Sequence, residues 1–469
     1  MTNRKSTKRA LLGSVMAMVL CLAMLVGATF AWFTDTASTG VNKIQAGNLK
    51  VALEMKDAAG QWVPAEGKTL DFVKAAAGEQ VLWEPGCTYT LPELRVINNG
   101  NLALKYKVTI TGINGSAKLN EAIEWTIGDV AMGAEQHLKA GESNEFTIKG
   151  HMKESAGNEY MNESIDGIAI TVAATQDTVE NDSFGNTYDK DAKYPIVAMD
   201  TLQELINNAT EPVSAKLEGN IAGSLTVPQG KDVTLDLNGF TLTGGDSHAI
   251  LNHGKLCIKD SSGNGKIVAS KANTSALRNA AVCVIDGGTF TRAAGVDNKW
   301  HTVENFGTMT FNGGKVIAED GQSFAIVNGW NYIDPGEQKA TMTINNIEMK
   351  AGPNGFKNCA GGTLTMNGGT LHCTGFWGLS NDSTGVATIN GGKIISDNYV
   401  AISNGGAKME INGGTFTGPE GSLYVQNYAQ DTVVKGGSYQ NETVEFMRNY
   451  CPDGYTATLK DGMVVVSEN

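Results

Sequence analysis

The chain has 469 residues and a formal net charge of −13, with 57 glycines but only 10 prolines. This length exceeds what one hydrophobic core normally serves, so two domains are expected. The negative charge argues against a nucleic-acid partner and against an anionic membrane surface. Glycine this abundant without a three-residue period excludes a collagen-like chain and favours a β-rich, turn-rich one.

Residues 1–31 have the pattern of a secretory signal peptide. Four basic residues between positions 4 and 9 precede an uninterrupted apolar run over 11–27, and small residues follow in VGATFA. We predict cleavage between Ala31 and Trp32, with Ala28 as the alternative site. A membrane anchor is the competing interpretation, because the run approaches the length of a spanning helix. The favoured prediction is a secreted protein with no stable membrane span after processing.

Residues 32–178 alternate apolar and polar side chains, which predicts an antiparallel β-sandwich. Leu49, Val51, Leu53 and Met55 would share one face of a half-buried strand. The stretch LRVINNGNLALKYKVTI predicts a hairpin, because its turn NNGN at 98–101 contains residues that tolerate positive φ.

Four segments in this order carry a family resemblance: ATFAWFTDTAS, AGNLKVALE, EPGCTYTLPELRVINNGNLALKYKV and AITVAATQ. Residues 1–178 resemble the TasA/camelysin family of secreted bacterial matrix proteins. The resemblance implies a jelly-roll-like sandwich, a dedicated signal peptidase and an extracellular, biofilm-fibre role at the cell surface or in the matrix. It also implies self-assembly, in which the segment after the signal peptide completes the sheet of the next subunit. That donor strand would be 32–44, with Trp32, Phe33, Val41 and Ile44 as apolar anchors.

Camelysins are also classed as metallopeptidases, which requires a test against the residues. Zinc hydrolysis uses two histidines one helical turn apart and a general-base glutamate, as in HExxH. None of the 6 histidines begins such a motif, and the sandwich region contains only His137 and His151. The sequence therefore predicts no metal, no cofactor, no catalytic residue and no protease.

Residues 179–198 are acidic and poor in aliphatic side chains, which is typical of a linker. A short amphipathic helix is predicted next, over 200–209. Thr201 and Glu204 have the spacing of a capping box, and apolar residues recur three and four positions apart. This helix would cap the following domain.

A turn of the type Asn-Gly-Gly then recurs about every 22 to 33 residues over 199–440. Strands before these turns, such as TMTF, TMTI and TLTM, alternate threonine with apolar residues. A second column of segments ends in Asn each time: Asn252, Asn279, Asn305, Asn328, Asn358, Asn381, Asn404 and Asn427. The residue two positions before each Asn is apolar and the residue one before is mostly polar, so one side faces a core and the other faces water.

Three short strands per repeat predict a right-handed parallel β-helix over 199–440, closed by a C-terminal cap over 441–469. The cap would contain a hairpin with its turn at Asp461-Gly462. The asparagines are attributed to corners that need positive φ and to an amide ladder between coils. Six cysteines follow residue 31, too few for a disulfide framework. Cys257 and Cys283 are predicted to be vertical neighbours, as a strained bridge or as free thiols.

The repeat region resembles the pectin-lyase-like superfamily, a fold that carries lyases, hydrolases and inert adhesins alike. A lyase needs clustered carboxylates for calcium beside a basic residue, and a hydrolase needs two carboxylates about 5 to 9 Å apart. The predicted outward carboxylates are scattered: Glu304, Glu348, Asp382, Asp397 and Glu410. An enzymatic groove is therefore disfavoured.

Aromatic residues near the turns offer a different function. Trp300, Trp330, Tyr332 and Trp377 could stack on sugar rings, although Trp377 could instead fill the core and Trp330 could pack a loop. Two functions stay open. One is a secreted structural, matrix or adhesion protein that assembles with itself. The other is a carbohydrate-binding or carbohydrate-active rod with an extracellular glycan as partner.

Overall fold

A computed structural model describes residues 34–38, 49–68, 70, 72–73, 82–115, 117–128, 130–161, 163, 165–177, 193–296, 299–319, 323–330, 336–427, 429 and 431–469. These residues are nearly all in β-structure or turns. They fall into two compact units, one within 1–110 and 118–195 and the other within 111–117 and 196–469. Ala31, Trp32, Phe33, Val41, Ile44 and Tyr332 lie outside the described residues. None of the helices described reaches the length and apolarity needed to cross a membrane.

The first unit is built from antiparallel strands: β1 Thr34–Ser38, β2 Val51–Lys56, β3 Trp62–Pro64, β4 Thr88–Thr90, β5 Leu94–Asn98, β6 Leu104–Gly115, β7 Ile123–Ile127, β8 Gln136–Leu138, β9 Ser143–Phe146, β10 Ile148–Met152 and β11 Ile165–Gln176. Two four-stranded sheets have the orders β1-β11-β6-β8 and β3-β2-β5-β9, and a three-stranded sheet has the order β4-β10-β7. A short helix α1, Ala117–Glu121, and a 3₁₀ turn at Asn158–Tyr160 complete the described elements.

The core of this unit follows the predicted alternation. Val51 and Leu53 of β2 are buried, as are Tyr106 and Val108 of β6, and they belong to one hydrophobic cluster. Met55 packs against this cluster but is only partly buried. Antiparallel sheets with one apolar face each therefore share a core, as period-two patterning predicts.

The hairpin predicted at 98–101 is wrong. β5 and β6 belong to different four-stranded sheets, so the chain crosses from one sheet to the other at this corner. The fully buried Asn98 holds the corner: its amide donates to the carbonyls of Leu102 and Leu138 and accepts the N–H of Gly100. None of these turn residues has positive φ. β5 and β6 contribute to one core from two different sheets, so they do not pair with each other. The turn between them is therefore held by an Asx-type contact of Asn98.

The second unit begins with helix α2, Met199–Asn208, which buries Met199, Leu202 and Ile206. The predicted capping box is wrong, because the helix starts two residues before Thr201. Its N-cap is Ala198, which makes no side-chain capping bond. Burial of the apolar stripe against the first coil, rather than a polar cap, therefore sets the start of this helix.

A parallel β-solenoid of about nine turns follows, with three faces that we call A, B and C. Face A contains Val213–Lys216, Asp232–Asp236, Lys255–Lys259, Val282–Ile285, Thr308–Phe311, Ala340–Ile344, Gly362–Met366, Val386–Ile389, Lys408–Ile411 and Thr432–Val434. Face B contains Ile221–Ala222, Thr241–Thr243, Lys266–Ala269, Thr289–Arg292, Lys315–Ala318, Glu348–Ala351, Thr370–Cys373, Lys393–Ser396, Thr415–Thr417 and Gly437–Tyr439. Face C contains Leu225–Val227, Ile250–Asn252, Leu277–Asn279, Val303–Asn305, Phe324–Asn328, Asn354–Asn358, Leu379–Asn381, Ile402–Asn404 and Leu423–Val425.

The strands stack in parallel, in a register that places like residues above one another. On face C, Leu277 pairs with Val303, which pairs with Ile326 in the next coil. All three are fully buried in a single hydrophobic cluster that runs through the solenoid. Because no coil buries its apolar face alone, this stack is what stabilises each repeat.

The Gly-Gly corners between faces A and B use their two glycines for different reasons. At Gly391-Gly392, a Cβ on Gly391 would lie 2.9 Å from the carbonyl oxygen of Asn367 in the neighbouring coil. Gly392 has φ +97°, in the left-handed region. The first glycine is needed for close approach between coils and the second for its backbone conformation.

Both ends of the solenoid are closed by additional elements. At the C-terminal end, helix α3, Val444–Arg448, precedes an antiparallel hairpin of Tyr455–Lys460 and Met463–Glu468, which pairs with the last strand of face B. Asp461 and Gly462 form its turn with φ of +52° and +79°, as the sequence predicts. The hairpin covers core residues that would otherwise face solvent.

Candidate functional site

An interior ladder of asparagine amides runs along the corner that follows face C. Each Nδ2 donates to the Oδ1 of the next coil, over distances of 2.7 to 2.9 Å, in the order Asn252, Asn279, Asn305, Asn328, Asn358, Asn381 and Asn404. All seven side chains are fully buried. Nδ2 also donates to backbone carbonyls, as from Asn381 to Gly385 and Lys408. The ladder therefore satisfies buried backbone groups, which is a structural role.

Two expectations about these asparagines are wrong. Asn427 is exposed and lies outside the ladder, because Val425 takes the place opposite Asn404 in the last coil. The amide of Asn404 donates to Thr432 Oγ1 instead. None of the ladder residues has positive φ, so their backbone conformation does not explain why Asn is there. The side-chain amide does, because it offers donor and acceptor in one group.

The predicted donor segment is described only at its centre, β1. This strand lies at the edge of its sheet, where it pairs antiparallel with β11 from Thr34↔Thr175 to Ser38↔Thr171. It thus occupies, within the same chain, the sheet edge that an incoming strand would need. An edge strand of this kind can exchange between copies without loss of backbone hydrogen bonds.

The three predicted sugar-stacking residues that the structure describes, Trp300, Trp330 and Trp377, do not form one surface. Trp330 lies just after face C and packs on Phe306, with ring centroids 5.4 Å apart. Trp377 lies just before face C and contacts Phe376 and Tyr399, with centroids 5.8 and 6.1 Å away. Trp300 packs on His301 at 5.7 Å. Trp377 is only partly buried, so it does not fill the core of its coil.

Sequence reasoning missed a buried row of polar side chains on the outward side of face C. The residue before each ladder asparagine points away from the core, and the strand register stacks Arg278, Glu304, Val327, Lys357, Ser380 and Ser403. Glu304, Lys357, Ser380 and Ser403 are nevertheless buried, where the sequence predicted solvent. The alternation of residues along a strand predicts which side of the sheet each one faces. It does not predict whether other parts of the chain cover that side.

Glu304 is the centre of this row. Ser275 Oγ donates to Glu304 Oε2 at 2.6 Å, and Arg278 Nη1 lies 3.7 Å from the same oxygen. The Nδ1 of His248 lies 3.9 Å away and accepts the N–H of Ser275 at 3.0 Å. A buried carboxylate is thus balanced by a guanidinium and a hydroxyl, as burial of a charge requires.

The two histidines beside this row are held neutral. Burial lowers the pKa of His301 to about 4, and its Nδ1 lies 2.9 Å from Ser323 Oγ. Burial also lowers the pKa of His248, and the nearby charge of Arg278 acts in the same direction. His248 is linked to Glu304 through Ser275, which bonds both, whereas His301 is hydrogen-bonded to Ser323 in the segment before the next face C strand.

The geometry of this row does not fit glycoside hydrolysis. The next carboxylate along it, Asp382, follows the coil of Ser380 and pairs with Lys357 at 3.0 Å. The strand that precedes Asp382 is three coil steps from the strand of Glu304, which puts their backbones about 14 Å apart at ~4.8 Å per step. Two hydrolytic carboxylates are roughly 5 to 9.5 Å apart. Among the residues described, no three histidine, cysteine, aspartate or glutamate side chains are placed to hold a metal ion.

The cysteine prediction is wrong in its register. Leu256, not Cys257, pairs with Cys283, so Cys283 faces the core while Cys257 faces outward. The cysteines described are all free thiols. Burial raises the pKa of the Cys359 thiol to about 12 and that of Cys373 to about 11, which makes both unreactive near neutral pH.

No family model, curated protein or solved structure matches the chain.

Proposed function

We propose that the protein is a secreted structural component of a bacterial extracellular matrix or cell surface, in which the first unit polymerises and the solenoid is displayed. The observation that carries this is β1, which is an edge strand in its own sheet and begins three residues after the predicted cleavage site at Ala31. In the monomer β1 pairs with β11 of the same chain. In the fibre it takes the same register on β11 of a neighbouring copy.

Three features support this proposal. β1 is short and terminal, so its exchange leaves the rest of the sheet paired. Residues 39–48 separate it from Leu49, and ten residues of extended chain span up to about 33–36 Å. Trp32, Phe33, Val41 and Ile44 flank it as apolar anchors, whose burial on a neighbour would add to the backbone hydrogen bonds.

The finer assignments belong to the same proposal. The first unit is a jelly-roll-like sandwich of the TasA/camelysin type, and the second is a right-handed β-helix of the pectin-lyase-like type. A dedicated signal peptidase would release Trp32 as the mature N-terminus. The partner of assembly is a second copy of the chain. The interior ladder and the buried row of face C fit a rigid display rod better than a catalytic groove.

The test compares two recombinant chains, one that starts at Trp32 and one that starts at Ala46, by sedimentation and electron microscopy. We expect fibres from the longer chain and monomers from the shorter one, which lacks β1. A synthetic peptide of residues 32–44, added to the shorter chain, should bind it without forming fibres, because the peptide fills the edge and offers no second site. Equal assembly of the two chains, or no assembly of either, contradicts the proposal.

A further inference from the structure

Face A carries a regular outward array that the fold itself does not require. In four consecutive coils, alternate residues point away from the core, in the pattern Thr-x-Thr-x-Asn in the first three coils and Val-x-Thr-x-Asn in the fourth. The register stacks Thr308 on Thr341, Thr341 on Thr363 and Thr363 on Val386. We call this array the threonine–asparagine face; its members are Thr308, Thr310, Asn312, Thr341, Thr343, Asn345, Thr363, Thr365, Asn367, Val386, Thr388 and Asn390.

The amides of this face are already ordered. Asn345 donates to Asn312, Asn367 to Asn345 and Asn390 to Asn367, each over 2.8 Å, and all four side chains are exposed. Each step uses one N–H and one lone pair, which leaves a second N–H and a second lone pair per amide directed to solvent. The column therefore presents alternating donors and acceptors at a fixed spacing.

The hydroxyls of the same face are available. Within the part of the chain that the structure describes, the seven threonine hydroxyls make no hydrogen bond to another residue. Column positions such as Thr308, Thr341 and Thr363 are exposed, and Thr310, Thr343 and Thr365 are partly so. A hydroxyl can donate and accept at once, so the face suits a ligand whose groups do the same.

The face is also free of charge. None of its twelve outward positions is charged, although 18% of the chain is, which would place about two charges there by composition alone. Charges begin directly at both ends of the array: below it Asp286 accepts a hydrogen bond from the Asn312 amide at 2.9 Å, and above it Glu410 lies near Lys408 and Lys435. An anionic polymer would meet no cation on this face, and the net charge of −13 would repel it.

The area of the threonine–asparagine face favours a narrow linear ligand over a protein partner. Neighbouring strands lie ~4.8 Å apart along the rod, and successive outward residues of one strand lie about 6.6 Å apart. The outward positions of the four coils therefore cover roughly 250 Å². A stable protein interface needs about 800 Å² per partner, so a second copy would be held too weakly here. A linear sugar polymer that runs along the rod matches the area, the repeat and the mixed donor and acceptor character.

We propose that the threonine–asparagine face binds a neutral, hydroxyl-rich linear polysaccharide, with the chain of sugars parallel to the solenoid axis. The threonine hydroxyls and the ordered amides hydrogen-bond the sugar hydroxyls, and the threonine methyls contact the C–H surfaces of the rings. This site is distinct from Trp300, Trp330 and Trp377, which lie at the corners beside face C. It does not depend on fibre formation.

The test measures adsorption of the chain that starts at Trp32 to two neutral solids, microcrystalline cellulose and chitin, at concentrations where sedimentation shows monomers. Two variants alter the centre of the face. Thr343→Val with Thr365→Val removes hydroxyls and keeps the β-branched shape, and Thr343→Lys with Thr365→Lys adds charge. The matched control is Thr291→Val with Thr417→Val, the same change on the outward side of face B.

We expect the valine pair to weaken adsorption to at least one solid about tenfold, which is about 1.4 kcal/mol, because two hydrogen bonds to the sugar are lost. The lysine pair should abolish it, and the face B control should bind as the parent does. Circular dichroism and unfolding midpoints check that each variant is folded. The inference is overturned if the parent adsorbs to neither solid, if the face A and face B variants behave alike, or if the face A variants change self-association instead of adsorption.

Discussion

The Nδ2 of Asn358 donates to the Oδ1 of Asn381 at 2.8 Å, between two coils and with both side chains fully buried. The same Nδ2 also donates to the carbonyls of Gly362 and Val386. One side chain thus links its own turn to the next strand of face A and the next coil of face C. Removal of one amide leaves several buried backbone groups without a partner at once.

We therefore expect Asn381→Leu to destabilise the solenoid by about 1–3 kcal/mol, the cost of leaving buried acceptors unpaired. The matched control is Asn390→Leu in the exposed ladder, where water can replace the lost bonds. That variant should cost less than about 0.5 kcal/mol, as is usual at the surface. Denaturant unfolding midpoints measure both effects, and equal midpoints for the two variants would show that the interior ladder is not special.

A second prediction concerns the first strand of face C, whose free edge is covered by a side chain. Gln203 of α2 accepts the N–H of Thr226 at 2.8 Å and donates to its carbonyl at 2.9 Å, so its amide continues the sheet in place of a further strand. Gln203→Leu should cost roughly 1–2 kcal/mol and speed hydrogen exchange at the Thr226 amide. Asn208→Leu, an exposed change on the same helix, is the control. Unchanged exchange at Thr226 would contradict the capping role.

A third prediction tests which chain supplies β1. Thr36 of β1 lies opposite Ala173 of β11, and directly opposed antiparallel residues have Cα atoms about 4.5–5.5 Å apart, within reach of a disulfide. When a Thr36→Cys chain is mixed with an Ala173→Cys chain and allowed to assemble, we expect an interchain disulfide on a non-reducing gel. The off-register pair, Thr36→Cys with Thr175→Cys, should form far less of it. A chain that carries both Thr36→Cys and Ala173→Cys is the comparison. If the disulfide forms within that chain but not between the two singly substituted chains, β1 does not exchange.

The solenoid was accessible to sequence reasoning because its signal is repeated. Each repeat has an asparagine with an apolar residue two positions earlier, and each therefore predicts the same alignment of the face C strands. A single exception does not hide a pattern repeated this often. The exception at Asn427 arises because the last coil shifts by two residues where the cap begins. The Cys257 and Cys283 prediction failed because Asp260 and Asp286 are not equivalent: Asp286 follows the strand directly, whereas Lys259 separates Asp260 from Ile258.

What the sequence did not show depends on distant parts of the chain. Whether Glu304 faces water or lies buried is decided by turns that a local pattern does not place. The corner at Asn98 looks like a hairpin because the same turn residues serve a crossing between sheets. Both end caps were predicted, but the two side chains in them that cover strand edges, Gln203 and Glu442, were missed, because a single Gln or Glu of this kind has no sequence periodicity.

The last prediction concerns the other end of face C. There Glu442 hydrogen-bonds the backbone of the final strand, as Gln203 does for the first strand. Its Oε1 accepts the N–H groups of Ser422 and Leu423 at 2.7 and 2.9 Å, at the start of the final face C strand. Burial raises the pKa of Glu442 above its ordinary value of 4.5. Because the pKa is higher in the folded state, protonation of Glu442 stabilises the fold. This stabilisation is fully present below the ordinary pKa of 4.5 and is lost as pH rises through the folded-state pKa.

Glu442→Gln keeps the accepting oxygen and removes the buried charge. We expect the variant to match the parent at pH 4 and to unfold at higher denaturant concentration than the parent at pH 7, because only the parent must ionise in the cap. Glu420→Gln, an exposed change nearby, should leave the midpoint almost unaltered at either pH. If Glu442→Gln is instead less stable at pH 7, the ionised carboxylate gains more from its two N–H donors than it loses by burial, and the assigned direction of its pKa shift is wrong.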